Sequence, residues 1–176
     1  MRFERLSTQE HPMYEKALEL YGISFPTHEQ REATSQMKIL SDDGYHFSLI
    51  YEDASFVGLV LYWETKNFIY VEHFCILPEM RNRKYGQKVL EYLGQRDKTV
   101  ILEIDPPADV ISVRRKRFYE RNGFVENQYF HVHPPYHRGN IGHNLTIMSF
   151  PDKITQAEYD LFKDYLEHHI MDTVFS

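Results

Sequence analysis

Apolar and polar positions along this chain fall into short blocks whose periods separate strands from helices. Tyr45 to Tyr51 and Val57 to Trp63 are β-rich runs divided by Glu52-Asp53-Ala54-Ser55, which predicts an antiparallel hairpin with a four-residue connection. After a break at Glu64 to Asn67, Phe68 to Leu77 forms a third β segment. Pro78 stops it, because proline has no N–H for a central ladder. Strict alternation puts Tyr70, Glu72, Phe74 and Ile76 on one face and Ile69, Val71, His73 and Cys75 on the other. Glu72 and His73 would be costly in a dry core, so each should look into a cleft, reach solvent or be hydrogen-bonded. Thr99 to Ile104 reads as a further strand, and Phe124 to His133 and His143 to Phe150 as two last ones joined by a polar, aromatic loop over 134–140.

The helical blocks are equally short. Met13, Ala17, Leu20 and Tyr21 predict a first helix, broken by Ile23 to Pro26. Thr27 with Gln30 three residues on resembles a capping box and predicts a second helix running to about Leu40. Val89, Leu90 and Leu93 predict about three turns from Gly86, with Gly94 as a left-handed C-cap. Ser112 to Asn122 predicts another helix, capped by Asp109 or Ser112 and stopped by Gly123. A final helix opens on Thr155 with Glu158 at N3, and its stripe of Tyr159, Phe162, Tyr165, Leu166 and Ile170 docks on the domain edge or serves a partner or homodimer contact.

At 176 residues, with 42% apolar content and no repeat or linker, the chain reads as one domain over 1–176, a core over 1–150 and a helical extension over 151–176. Nothing in it approaches the ~20-residue apolar run of a membrane span, and the charged start has no apolar signal region, which makes it a cytoplasmic candidate. The single cysteine, Cys75, allows no intramolecular disulfide and reads as a small buried hydrophobe rather than a nucleophile. A formal net charge of −6 disfavours nucleic acid and anionic membranes as partners. Cations nevertheless gather at Arg81, Arg83 and Lys84 and again over 114–117, a pattern that suits a small anionic ligand held between two basic elements.

The first of those clusters lies between a strand and a helix. There Arg81, Asn82, Arg83, Lys84, Tyr85 and Gly86 bring side-chain charge to unpaired helical N–H groups and the positive end of the dipole, which makes an anion site. With Pro78 upstream, the segment resembles motif A of the GNAT superfamily of acetyl-CoA-dependent N-acetyltransferases, whose loop reads Q/R-x-x-G-x-G/A. It departs at one position, where Lys84 replaces the first glycine. Phe118 and Tyr119, followed by Gly123 and Phe124, resemble the family's motif B.

The resemblance implies a mixed α/β fold: a central, mostly antiparallel, splayed β-sheet flanked by helices, here with an extra C-terminal helix. It further implies acetyl-CoA as co-substrate, held by Phe74, Cys75, Ile76, Arg81, Asn82, Arg83, Lys84, Tyr85, Gly86, Gln87 and Tyr119, with Ser112 where an asparagine is often found. Arg114, Arg115 and Arg117 reach the phosphates or form a solvated helix face. Catalysis would use Glu103, or Glu72, to deprotonate a primary amine of a small-molecule or peptide acceptor, and Tyr119 to protonate the departing thiolate. Phe25 is a candidate for the acceptor side or a core aromatic, and His131, His133 and Tyr136 are candidates for the acceptor rim. A metal reading of His131, His133 and His137 lacks a thiolate or a clear fourth ligand, so no metal is expected. The alternative to an enzyme is a non-catalytic acyl-CoA-binding sensor or interaction protein on the same fold.

Overall fold

A computed structural model describes residues 1–174. Its frame is one eight-stranded sheet in the order β1-β2-β3-β4-β5-β8-β6, with β7 also paired to β8. The strands are β1 (Arg2–Leu6), β2 (Tyr45–Glu52), β3 (Ser55–Glu64), β4 (Phe68–Ile76), β5 (Thr99–Ile104), β6 (Val125–Glu126), β7 (His131–His133) and β8 (His143–Phe150). Every pairing is antiparallel except that between β4 and β5. The helices are α1 (Tyr14–Ser24), α2 (Ala33–Ile39), α3 (Tyr85–Gly94), α4 (Val110–Arg121) and α5 (Gln156–Tyr165), the last continuing into a π-helical turn over Leu166–Ile170.

Two apolar layers hold the helices to the sheet. On one face Ala17, Leu20, Ile39, Phe162, Leu166 and Ile170 from α1, α2 and the C-terminal helix pack over Phe47, Leu59, Trp63, Phe68 and Tyr70. On the other, Val89, Leu90 and Leu93 of α3, with Phe118 and Tyr119 of α4, pack over Val60, Ile69, Val100 and Met148. The stripe expected on α5 thus covers a sheet face instead of an edge. Burying such side chains contributes roughly 1.5–3 kcal/mol each, which makes these layers the main stabilising term.

Several local expectations are corrected. The Thr27 capping box does not form: Thr27–Glu29 is a single 3₁₀ turn and Gln30 is extended. The Gln30 amide instead donates to the Phe25 (2.6 Å) and Gly22 (3.1 Å) carbonyls and closes the C-terminus of α1, which runs on to Ser24. The β2–β3 connection is shorter than four residues, since Glu52 still pairs with Ser55 and only Asp53, at φ 54°, and Ala54 turn. Gly94 lies inside α3 rather than capping it. A Cβ there would meet Phe150 Cε1 at 2.8 Å, so its smallness serves packing. Helix α4 begins two residues early, where Asp109 Oδ1 accepts from Ile111 N and Ser112 N, and Gly123 follows it at φ 85°. The strand expected over 124–133 is split: Glu126 pairs with Met148 and His131 with Leu145, five residues against three, and Asn127 turns inward to Ser149 Oγ at 2.8 Å.

Candidate active site

The site lies where the sheet opens. Pairing of β4 with β5 runs only from Phe68 and Thr99 to Val71 and Leu102, whereas on its other edge β4 stays paired with β3 as far as Ile76. Beyond Val71 the two parallel strands diverge, and a cavity of ≈ 480 Å³ occupies the fork. It is lined by residues 70–76 of β4, by Leu102, Glu103, Ile104 and Asp105 of β5 and its end, and by Phe25, Glu29, Arg81, Arg115, Tyr119, His133, Tyr136 and His143. Leu77 N donates to Val57 O on the β3 side, so strand alternation turns the main-chain groups of Ile76 and Phe74 toward the opening.

A β-bulge shapes the wall. Leu61 pairs with His73 and Tyr62 with Val71, which leaves Glu72 as an extra residue. Glu72 and His73 therefore face the same side, in contrast to the strict alternation expected. Tyr136 meets both, its hydroxyl donating to Glu72 Oε1 at 2.9 Å and its ring centroid lying 5.9 Å from that of His73.

Glu72 does not reach the cavity as a free base. Its carboxylate has no exposed side-chain surface and accepts from Arg31 Nε, Trp63 Nε1 and Tyr136 Oη, each at 2.9 Å. Burial pushes its pKa up, but the Arg31 guanidinium, His73 and the two neutral donors outweigh burial and hold it below 4.5. Arg31, which the sequence pattern did not single out, is itself fully buried, and it also donates to Ile170 O at 3.0 Å and to Ser35 Oγ and Thr173 Oγ1 at 3.2 Å.

Glu103 is held in a second network. Tyr70 Oη donates to one carboxylate oxygen, His131 Nε2 contacts the other, and His133 Nε2 lies 3.8 Å away. Burial raises the pKa of this carboxyl, while His133, His131 and Tyr70 together bring it below 4.5. His131 sits behind Glu103 with Nδ1 3.0 Å from Tyr159 Oη, which takes it out of the cavity wall, whereas His133 and Tyr136 remain in that wall. His137 turns away to Thr27 O at 2.8 Å. Among the described residues no group of three His, Cys, Asp or Glu is arranged to hold a metal ion.

At the other end of the fork lie the loop and α3. Asn82 and Lys84 both take positive φ, 62° and 61°, and Lys84 is the residue from which α3 departs. A lysine thus occupies the backbone conformation for which glycine is the usual choice. The first helical bond of α3 runs from Lys88 N to Lys84 O, so the N–H groups of Tyr85, Gly86 and Gln87 remain available as donors. Arg83 and Lys84 are exposed and carry no carboxylate partner among the described residues, and Arg81 Nε donates to Ile76 O at 3.2 Å. The Gln87 side chain pairs with Glu91 instead of the loop. Gly86 lets the helices approach, since a Cβ there would meet Phe118 Cζ at 3.0 Å.

Ser112 is unavailable to a ligand. It is the N3 residue of the α4 capping box, buried, with its hydroxyl accepting from Asp109 N at 3.0 Å and Ala108 N at 3.1 Å. Arg115 reaches the cavity mouth and pairs there with Asp105 at 2.6 Å. Tyr119 lines the cavity from α4, and burial pushes its hydroxyl up to about 12. Cys75 lines it too, but burial raises its thiol to about 11, which makes it inert. Phe25 is in the wall, its ring 4.7 Å from His73.

His73 was recognisable in the sequence only as an awkward mid-strand polar residue. Its Nε2 lies 2.9 Å from Glu29 O, while Nδ1 is buried with no hydrogen-bond partner among the described residues. Burial, the largest effect on its pKa, lowers it. Glu29 and His143 were likewise not anticipated. They reach the cavity through the 3₁₀ turn and the first residue of β8, positions with no periodic signal.

Comparison with known proteins agrees with this geometry. Residues 43–126 match the model described as "Acetyltransferase (GNAT) domain". A solved structure from Bacteroides thetaiotaomicron, a "putative acetyltransferase from GNAT family", superposes with a TM-score of 0.90 at 28% identity, covering 97% of this chain and 98% of that one. "Putative acetyltransferase YjbC" of Bacillus subtilis (strain 168) is 27% identical over 119 residues. The match covers 65% of this chain and 57% of that protein's length. An aminoglycoside 6'-N-acetyltransferase solved with coenzyme A shares the fold alone, at a TM-score of 0.60 and 12% identity over 89% of this chain and all of that one. Among the described residues no helix is long and apolar enough to cross a membrane.

Proposed function

Because this chain carries a GNAT acetyltransferase domain on the fold of that family, we propose that it moves an acetyl group from acetyl-CoA to a primary amine of a small-molecule or peptide acceptor, by direct attack in a ternary complex. The observation that carries this reading is the fork between β4 and β5, which runs from free α3 N–H groups and unpaired cations at one end to His133, Tyr136 and Phe25 at the other. A phosphate-bearing, extended ligand fits that layout: its anionic end meets helix donors and cations, and its arm meets the main-chain groups of Phe74 and Ile76. The solved relative with coenzyme A bound lends support to the choice of ligand.

Each residue has a role that its surroundings suit. The exposed Arg83 and Lys84, with Asn82, Tyr85, Gly86 and Gln87 through their main chain, hold the pyrophosphate, and Arg81 closes the loop onto β4. A β4 amide of Phe74 or Ile76 polarises the thioester carbonyl as negative charge develops there. Tyr119, protonated at every ordinary pH, supplies a proton to the sulfur. Glu103 is the fixed negative charge beside His133, and Glu72 holds Arg31 and Tyr136 in the acceptor wall.

One observation favours the other reading, a non-catalytic acyl-CoA sensor: both carboxylates expected as bases are already taken by donors. Calorimetric titration with acetyl-CoA and dephospho-CoA, followed by thiol release over a panel of amines, separates the two. Binding with amine-dependent thiol release is the result expected of the transferase. Binding with no thiol release from any amine would leave the sensor, and no binding at all would remove both.

A further inference from the structure

We propose that Glu29 sets acceptor specificity: its carboxylate takes a second positive charge on the acceptor, so that the preferred substrate is an amine with another cationic group a few bonds away. The inference rests on the transferase reading above and deepens it at the acceptor end. It starts from the acids of the cavity wall, which are Glu29, Glu72, Glu103 and Asp105. Three of them are neutralised by groups of this chain. Glu72 is paired with Arg31, Glu103 is held by Tyr70, His131 and His133, and Asp105 pairs with Arg115 at 2.6 Å. Glu29 is the exception. Its nearest basic atom among the described residues is His28 Nε2 at 3.6 Å, outside hydrogen-bond reach. The two arginines of the cavity wall are engaged elsewhere, Arg81 with Ile76 O and Arg115 with Asp105.

The turn that carries Glu29 is clamped from three sides. Its carbonyl lies 2.9 Å from His73 Nε2, and the His73 ring packs 4.7 Å from Phe25 and 5.9 Å from Tyr136. This puts Glu29 at the Phe25 and Tyr136 end of the fork, away from the cationic loop. His137 Nε2 meets Thr27 O at 2.8 Å, and the His28 ring stacks on that of His143 with centroids 5.0 Å apart. None of these contacts uses the Glu29 side chain. The charges that act on its carboxylate belong to Asp105, Arg115 and His143, besides the adjoining His28. Those first three groups line the cavity, so the carboxylate lies among groups of the cavity wall.

A cation is what this carboxylate lacks. Burial raises its pKa, and the negative charge of Asp105 raises it further, so the ionised form is disfavoured twice over. A positive group in the cavity relieves both effects. The reacting nitrogen does not fill that role, because it must shed its proton to attack the thioester. Nor does the coenzyme, whose charges are phosphates drawn to the α3 end. The cation therefore belongs to the acceptor, on a part of it that does not react.

Thiol release at saturating acetyl-CoA, with acceptors matched in size and differing only in the charge of the remote group, tests the assignment on the whole chain. One set is butylamine, 1,4-diaminobutane and 4-aminobutanoate. The other is alanine tripeptides whose middle residue is glutamine, arginine or glutamate, so the set that responds tells a small diamine from a peptide. In at least one set the cationic member should exceed the neutral one in kcat/KM by about 10–100-fold, and the anionic member should be the poorest. Glu29→Gln should bring cationic and neutral members within a few-fold of each other, chiefly through KM. Glu29→Lys should place the anionic member above the cationic one, a reversal that a merely structural residue would not give. The isosteric Gln variant, with its turn held by main-chain contacts, carries the test even where the charge-reversed one does not fold. Equal use of cationic and neutral members by the wild type, or a wild-type preference retained in E29Q, overturns the proposal and leaves the transferase reading standing. Absence of thiol release by the wild type with every acceptor overturns the transferase reading itself, and this proposal with it.

Discussion

Glu72 and His73 are neighbours on β4 that face the same side of the sheet, because the strand holds one residue more than β3 at that point. The bulge separates two tasks that strict alternation would have placed on opposite faces. Glu72 is withdrawn into an ion pair with Arg31, and His73 is left beside the fork with a buried Nδ1 that has no partner among the described residues. Bulges cost ladder bonds and persist where they aim a side chain. Here the aimed side chains are those nearest the point at which β5 leaves β4.

Tyr119→Phe removes the hydroxyl while keeping a ring that packs on Phe118 and Phe124. Acetyl-CoA affinity should be unchanged by calorimetry, and kcat should fall by about 10²-fold or more. With the hydroxyl pushed up to about 12, no loss of its proton should appear in the wild-type rate profile below about pH 10. An unaltered kcat in the variant would remove Tyr119 from the reaction.

Lys84→Gly exchanges a lysine at φ 61° for the residue that takes this conformation without strain. The left-handed conformation costs about 1–2 kcal/mol in an L-residue, partly offset by the greater freedom of glycine in the unfolded chain. A net gain of about 0.5–1 kcal/mol is expected, read as a rise in Tm of about 1–4 °C. Coenzyme affinity should fall in the same variant, because a cation beside the α3 N-terminus is lost.

Arg31→Met leaves the Glu72 carboxylate buried without its cation. Destabilisation of about 3–5 kcal/mol is expected in urea unfolding. The double variant Arg31→Met with Glu72→Met should recover most of that loss, since two apolar side chains leave no buried charge. Additive losses in the double variant would show that the pair is not coupled as the geometry indicates.

His46 in β2 stacks on Tyr62 with centroids 4.5 Å apart, and burial first, then Arg5, bring its pKa from 6.5 to about 4. The folded value lies below the unfolded one, so as pH falls the unfolded chain takes up this proton first. The stability it contributes is complete above pH 6.5 and is lost as pH falls toward about 4. Urea midpoints measured from about pH 7 down to about pH 5 should decline in the wild type and decline less in His46→Gln. Parallel curves would contradict the shift.

Much of the frame was legible because it follows periodicity and punctuation. Pro78 ends β4, Gly123 follows α4 with positive φ, and the Thr155–Glu158 box opens α5 as its spacing requires. The loop was legible because cations beside unpaired helix donors form a local pattern. What escaped was decided by tertiary contacts. The Thr27 box lost to the Gln30 amide, which found better use on the end of α1. Gly94 looked like a cap because glycine so often is one, whereas only the approach of Phe150 explains it. The bulge at Glu72 carries no sequence mark, so alternation assigned the two polar residues to opposite faces. Arg31 lies in an extended linker without period, and its burial depends on partners about 40 and 140 positions away.

That last distance bears on how the molecule comes into being. The Arg31 guanidinium is completed by the carbonyl of Ile170 and the hydroxyl of Thr173, late in a chain that is synthesised from the other end. Until those residues have emerged and the π-helical turn has closed, a charge destined for the interior lacks part of its neutralising shell. This wall of the cavity is thus closed by contacts of long sequence separation, whereas the β2–β3 hairpin is closed by short-range ones. Without Ile170 and Thr173 the Arg31 guanidinium would lose two of its acceptors.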